Sequence, residues 1–124
     1  MALFKKIDHL ALHVSNIEKS VLFYADHFGF EKYFETTLPS GLQIVYLKLG
    51  DTVLELNNEW QANIAGFHFC LQTTDFATAI EKLQRAGLTL VQAPHAIRPR
   101  VLSEEGWQRA VFLGPDQEQI EIRG

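Results

Sequence analysis

The 124 residues contain a single cysteine, Cys70, so no internal disulfide can hold the fold, and the chain reads as one suited to a reducing cytoplasm. No apolar run approaches the roughly 20 residues of a membrane-spanning helix. The opening stretch MALFKKIDHL carries no signal-peptide core. Basic clusters are missing too: 11 Lys and Arg stand against 15 Asp and Glu, a net charge of −4, and no basic amphipathic helix is visible. Nucleic acid and membrane surfaces are therefore not expected as partners. Low-complexity stretches and obvious linkers are absent as well. What is left, 47% hydrophobic and 21% charged residues, is the composition of an ordinary globular chain. Its size suits a single domain over residues 1–124, built as one compact unit or from two half-domains.

The stretch DTVLELNN, residues 51–58, reads as a strand after Gly50-Asp51, a pair typical of hairpin turns. Alternation puts Leu54 and Leu56 on one face and Val53, Glu55 and Asn57 on the other. A glutamate in the middle of such a strand is costly to bury unless something pairs with its charge.

The chain is built twice. In the first half a strand, KIDHLALHV, is followed by SNIEKSVLFYADHFG. Ser15 and Glu18 have capping-box spacing there, Ile17, Val21, Tyr24 and Phe28 share one helical face, and Gly29 fits a C-terminal cap. Strands FEKYFETT, LQIVYLKL and TVLELNN follow. The second half repeats the order with the strand AGFHFCLQTT, a helix DFATAIEKLQRAG capped by Gly87, and strands LTLVQA, RAVFLG and EQIEIRG. An offset of 59 carries Ile17, Val21 and Tyr24 onto Phe76, Ile80 and Leu83, and His9 onto His68. An offset of 66 carries Glu55 onto Glu121. The difference of about seven residues falls in the segment QAPHAIRPRVLSEEGWQ. The expected architecture is α+β: two β-α-β-β-β modules, about 5–60 and 64–124, packed into one domain.

Two histidines and two glutamates at repeat-related positions form a mixed nitrogen and oxygen donor set for one divalent ion such as Zn²⁺, Ni²⁺, Co²⁺, Mn²⁺ or Fe²⁺. The ion's charge would offset both buried carboxylates. Taken singly, a strand histidine is usually a hydrogen-bonded core or surface residue and a strand glutamate is usually solvated. Only their joint recurrence under an independent repeat register points to metal, and a one-residue slip would separate them.

On IDHLALHVSNIEKSVLFYADHFGF, TVLELNN, GFHFCLQTTD and the closing GPDQEQIEI, the chain resembles the vicinal oxygen chelate superfamily over essentially its whole length. That group includes glyoxalases, bleomycin-resistance proteins and extradiol dioxygenases. The resemblance implies a curved, cup-like mixed sheet around a metal held by His9, Glu55, His68 and Glu121. The full His/Glu/His/Glu set is most similar to bacterial lactoylglutathione lyase, glyoxalase I. It implies a lyase or isomerase that moves a proton next to a metal-chelated carbonyl of a small α-oxo substrate. Glu121 would be the base, with Glu55 as its partner. A homodimer is implied by relatives of this length. An acyl-CoA-type epimerase stands close to that reading. A ferrous extradiol-type dioxygenase, which would leave Glu55 unbound, and a non-catalytic binding or resistance protein are the alternatives.

The resemblance places glutathione anchors at His13, where glyoxalases carry arginine, and at Glu59, where they carry asparagine. The tip LSEEGWQR is acidic where glutathione users carry lysine, so glutathione is a poor fit. His13 either contacts substrate or packs at the surface. His95, Arg98 and Arg100 are expected in a long loop able to meet an anionic substrate. Trp107 and Trp60 are read as rim or interface aromatics, His27 as a favourable charge at a helix end, and Cys70 as a small wall residue without an activating neighbour. Gly114 and Gln117 replace the family's Asp and Gly in the last turn, which is expected to alter that turn.

Overall fold

The computed structural model describes residue 3 and residues 6–60 and 68–124. Lys5, where the first expected module begins, and Ala65 to Phe67, which begin the first expected strand of the second, lie outside them. The elements are β1 (Leu10–His13), α1 (Ile17–Phe28), β2 (Glu31–Thr37), β3 (Gln43–Leu49), β4 (Thr52–Asn57), β5 (His68–Gln72), α2 (Phe76–Arg85), β6 (Leu90–Ala96), β7 (Gln108–Leu113) and β8 (Gln119–Arg123). The chain divides into two compact units, Met1–Asn63 and Ile64–Gly124, each a β-α-β-β-β module. The fold is α+β, as the repeat implied.

Each module is a four-stranded mixed sheet, ordered β1-β4-β3-β2 in one and β5-β8-β7-β6 in the other. The first and last strands of each module run parallel and the remaining pairs are antiparallel. In the first module α1 packs on β2, β3 and β4. Tyr24 is fully buried on that helix, and Leu54 and Leu56 are buried on β4. Their β4 neighbours on the other face, Val53 and Glu55, are only half-buried. In the second module Ile80 and Leu83 of α2, Ala110 and Phe112 of β7, and Ile120 and Ile122 of β8 are buried.

The N-terminal cap of α1 is Asn16, whose side chain accepts from the Lys19 amide at 3.0 Å, and not the expected Ser15. Asn and Ser cap equally well, and starting one residue later still leaves Glu18 in the first turn, near the positive end of the helix. Gly29 closes α1 at φ 79°, its N–H donating to Ala25 O at 3.1 Å. Asp75 caps α2 by accepting from the Thr78 amide at 3.2 Å, and Gly87 at φ 83° lets the chain turn away.

Two further expectations are corrected. His95 lies on β6, not in the loop after it, because β6 runs through Pro94. A proline is tolerated there since β6 is an edge strand whose register shifts between Gln92 and His95. The last turn keeps a left-handed residue without glycine: Gln117 takes φ 69°. The extra residues of the second module fall where expected. Eleven residues (97–107) join β6 to β7, against five (38–42) joining β2 to β3.

Candidate metal centre

The two halves of the donor set are built alike. In the parallel β1–β4 pair Ala11 faces Glu55, and His9 lies two residues before Ala11. In the parallel β5–β8 pair Cys70 faces Glu121, and His68 lies two residues before Cys70. A two-residue step keeps a side chain on the same face, so each histidine stands beside its own glutamate. His9 Nε2 is 3.6 Å from Glu55 Oε1, and His68 Nε2 is 3.5 Å from Glu121 Oε1. The glutamate side chains are 14% and 11% exposed, against 36% and 59% for the histidines. Within either unit, among the described residues, no third His, Cys, Asp or Glu completes a metal-holding group.

These spacings suit shared coordination. Two donors each about 2.1 Å from a zinc-like ion in tetrahedral arrangement stand about 3.4 Å apart, close to both observed separations. His9 Nδ1 donates to Asp8 Oδ2 at 3.0 Å, leaving the Nε2 lone pair directed at Glu55. A carboxylate behind a ligating imidazole fixes its tautomer in this way. Glu55 is oriented by neutral donors: the Tyr46 hydroxyl reaches Oε1 at 2.9 Å and the Asn57 amide reaches Oε2 at 3.0 Å. The His9 and Tyr46 rings meet edge to face at 5.8 Å. The Tyr46 phenol is held above its usual pKa, first by its hydrogen bond to Glu55 and then by burial.

Glu121 is surrounded by cations. Arg109 Nη2 donates to Oε1 at 3.2 Å, and Arg123 Nε lies 3.4 Å from Oε2. Burial works to raise the pKa of this carboxyl, but the Arg109 hydrogen bond and the charges of Arg109 and Arg123 prevail and hold it below the usual range. The nearby Cys70 thiol is pushed up to about 11 by burial and by the Glu121 carboxylate. Cys70 is exposed, but its thiol stays protonated at neutral pH, so it is not an activated nucleophile.

The remaining expected contact residues fall into one local group in each unit, with Arg98 on the 97–107 loop. His13 Nδ1 donates to the Glu59 carbonyl at 3.2 Å, and the Glu59 amide donates to Asn57 Oδ1 at 3.1 Å. That ties the two expected glutathione positions to each other and to the Glu55 support. Arg98 is exposed and Trp107 half-buried. The Trp107 amide donates to Glu104 O at 3.0 Å. Arg100 is engaged with Glu104: its Nε and Nη2 reach the carboxylate at 3.0 and 2.6 Å. Glu104 itself is only 4% exposed, so the acidic tip expected from the sequence presents Glu105 but not Glu104. As partners around the two glutamates, Tyr46, Asn57, Arg109, Arg123 and Gln92 were not foreseen from the sequence, although Asn57 was placed on the Glu55 face. Signals existed for three of them. Tyr46 is symmetric with Glu55 about the Gly50-Asp51 turn, and Asn57 and Arg123 each follow a glutamate by two residues on the same face.

Two repeated β-α-β-β-β modules, each presenting one His–Glu pair from its parallel strands, define a class of paired-module protein. The chain belongs to the Glyoxalase/Bleomycin resistance protein/Dioxygenase superfamily, whose family model matches residues 6–122. Among solved structures, the glyoxalase family protein of Enterococcus faecalis is similar with 23% identity and a TM-score of 0.80, over 99% of this chain and 100% of that one. The trypanothione-dependent glyoxalase I of Leishmania major is similar with 19% identity and a TM-score of 0.77, over 96% and 86%. The fosfomycin resistance protein FosX of Listeria monocytogenes was solved with Mn(II) and 1S,2S-dihydroxypropylphosphonic acid. It is 14% identical with a TM-score of 0.76, over 97% and 92%. At these identities the likeness carries the fold alone. No helix among the described residues is long and apolar enough to cross a membrane.

Proposed function

We propose that the protein is a metal-dependent, glyoxalase-like lyase or isomerase acting on a small α-oxo substrate, working as a homodimer with one divalent ion (Ni, Zn, Co, Mn or Fe) per His9/Glu55/His68/Glu121 set. The observation that carries this reading is the doubled pair: the same His–Glu spacing, 3.6 and 3.5 Å, recurs at repeat-equivalent positions. The metal-bound FosX supports it by fold. When bound, the ion would polarise a substrate carbonyl and ease loss of the neighbouring proton.

The chain's own residues do the rest. His9 presents Nε2 because Asp8 holds its Nδ1 proton. In this reading a glutamate, Glu55 or Glu121, takes and returns the substrate proton. A proton on Glu121 would weaken its contacts to both guanidiniums, whereas one on Glu55 opposes only a hydroxyl and an amide. Glu55, and not the Glu121 that the resemblance implies, therefore carries the transfer in this reading, while Glu121 orients the set. His13, Glu59, Arg98, Arg100 and Trp107 remain the proposed substrate-side residues, with the charge of Arg100 already offset by Glu104.

Metal analysis with titration tests the reading. Purified protein should take up about one Zn²⁺ or Ni²⁺ per four-residue set, and His9→Ala, Glu55→Ala or His68→Ala should each abolish tight uptake. Protein isolated without chelator that neither carries nor takes up metal would rule the reading out and leave a metal-free binding role.

A further inference from the structure

Glu55 and Glu121 occupy equivalent positions, yet their surroundings differ in charge. Asn57 and Arg123 each lie two residues beyond the glutamate. Ile44 and Arg109 each pair with that residue across the ladder. An amide and an isoleucine in the first module thus become two guanidiniums in the second. Arg109 is also firmly held. Its Nη2 donates to Glu121 Oε1, the same oxygen that lies 3.5 Å from His68 Nε2. Its Nη1 donates to Gln92 Oε1 at 2.5 Å and to His95 Nε2 at 3.3 Å. The His95 ring can accept there because its Nδ1 donates to Ala93 O at 2.8 Å. The Arg109 side chain is 25% exposed, so water screens its charge only in part.

We propose that Arg109 is the resident counter-cation of Glu121: a divalent ion must displace its guanidinium from Oε1, so Arg109 sets the metal affinity of the His68–Glu121 half. This rests on the metal-centre reading. A divalent ion and a guanidinium sharing one carboxylate oxygen in a partly dry site repel each other, and a charge-assisted hydrogen bond must be given up to make room. Among the described residues no guanidinium or ammonium competes for Glu55, whose hydrogen-bond donors, Tyr46 and Asn57, are neutral. The two halves of the donor set are therefore unequal. The first is ready for metal, and the second carries a built-in cation that weak or scarce ions cannot dislodge.

Isothermal titration of Zn²⁺ and Ni²⁺ into metal-free full-length protein tests this with wild type, Arg109→Gln and the neutral, similarly long Arg109→Met. Each is made alone and together with Glu121→Gln, and folding is checked by circular dichroism. Either neutral variant should bind metal about ten- to a hundredfold tighter than wild type, the range expected for removing one charge-assisted competitor. In the Glu121→Gln background the same substitution should change nothing further. If folded neutral variants bind equally or more weakly than a metal-binding wild type, Arg109 supports the site from behind. The proposal then fails while the metal centre stands. If wild type takes up no metal and the variants do, the proposal holds and the wild-type metal reading falls. If none of them binds metal, both are overturned.

Discussion

Tyr46 and Glu55 face each other across the β3–β4 ladder, and the phenol donates to Glu55 Oε1 at 2.9 Å. This bond fixes one oxygen of the proposed proton carrier while leaving the carboxylate within reach of His9. Tyr46→Phe keeps the ring and its edge contact with His9 but removes the donor. It is expected to lower the unfolding free energy by about 1 kcal/mol in urea titrations at neutral pH. The Tyr46 phenol pKa is raised in the folded state, so the stability it contributes is present below the ordinary tyrosine pKa and lost as pH rises through the higher folded value. The gap between wild type and Tyr46→Phe should therefore close at strongly alkaline pH. A gap that stays constant there would contradict the role given to this bond.

Glu104 and Arg100 give the opposite pH signature. The Glu104 carboxylate accepts from Arg100 Nε, Nη2 and backbone N–H, and those contacts, the side-chain ones first, lower its pKa from 4.5 to about 2. A depressed carboxyl contributes stability that is fully present above the ordinary value and lost as pH falls through the folded one. The loss is expected between about pH 4.5 and 2. Thermal melts across that window should fall more steeply for wild type than for Glu104→Gln, and the Gln variant should be the less stable at neutral pH. Parallel profiles would show that the loop between β6 and β7 does not depend on this pair.

Gln117 sits at φ 69°, a region costly for any residue with a Cβ. The turn around it is held by the Gly114 amide donating to Glu118 O at 2.8 Å and the Gln117 amide donating to Gly114 O at 3.1 Å. The backbone shape is therefore set by its hydrogen bonds, and the side chain only adds strain. Gln117→Gly is expected to stabilise the protein by about 1 kcal/mol in denaturant unfolding, the left-handed strain relieved less the added freedom of glycine in the unfolded chain. No gain, or a loss, would mean that the glutamine side chain has a compensating contact.

The module repeat was legible because each half buries a helix face and alternate strand residues, and those periods recur at a constant offset. The His–Glu pairing was legible for the same reason: once His9 maps to His68 and Glu55 to Glu121, parallel pairing of the first and last strands brings each pair together. Tyr46 was within reach too, since a two-residue turn at Gly50-Asp51 dictates its partner. Arg109 was not. Its register with Arg123 depends on residues 114–118, a longer turn whose bonding a pattern of residues does not specify. The position of His95 depended on β6 being an edge strand, which rests on sheet order. Glu104 looked like a solvated acid because its partner, Arg100, lies four residues earlier in a segment without periodicity. Ser15 and Asn16 are both good caps one residue apart, and only the geometry chooses between them.

Glutathione use is the point on which the metal set and the substrate side disagree. A tripeptide with two carboxylates needs cationic or amide anchors. At the two positions where the family resemblance places them stand His13 and Glu59. The structure commits His13 Nδ1 to the Glu59 carbonyl and leaves the Glu59 residue exposed. Replacement cations are scarce among the loop and strand arginines. Arg100 is paired with Glu104, and Arg109 with Glu121, Gln92 and His95. Arg98 is exposed on the 97–107 loop. Each lost charge-assisted contact costs about 1.5–3 kcal/mol, and each 1.4 kcal/mol is about tenfold in affinity. Two lost contacts should thus weaken turnover of a methylglyoxal–glutathione adduct by about a hundredfold or more relative to an enzyme with both anchors. Steady-state assays of the Ni²⁺, Co²⁺ and Zn²⁺ forms should show weak or no lactoylglutathione lyase activity. The double substitution His13→Arg with Glu59→Asn should raise it, while leaving metal uptake unchanged. High efficiency in the unaltered protein, lost on Arg98→Ala, would show instead that the loop supplies the anchor.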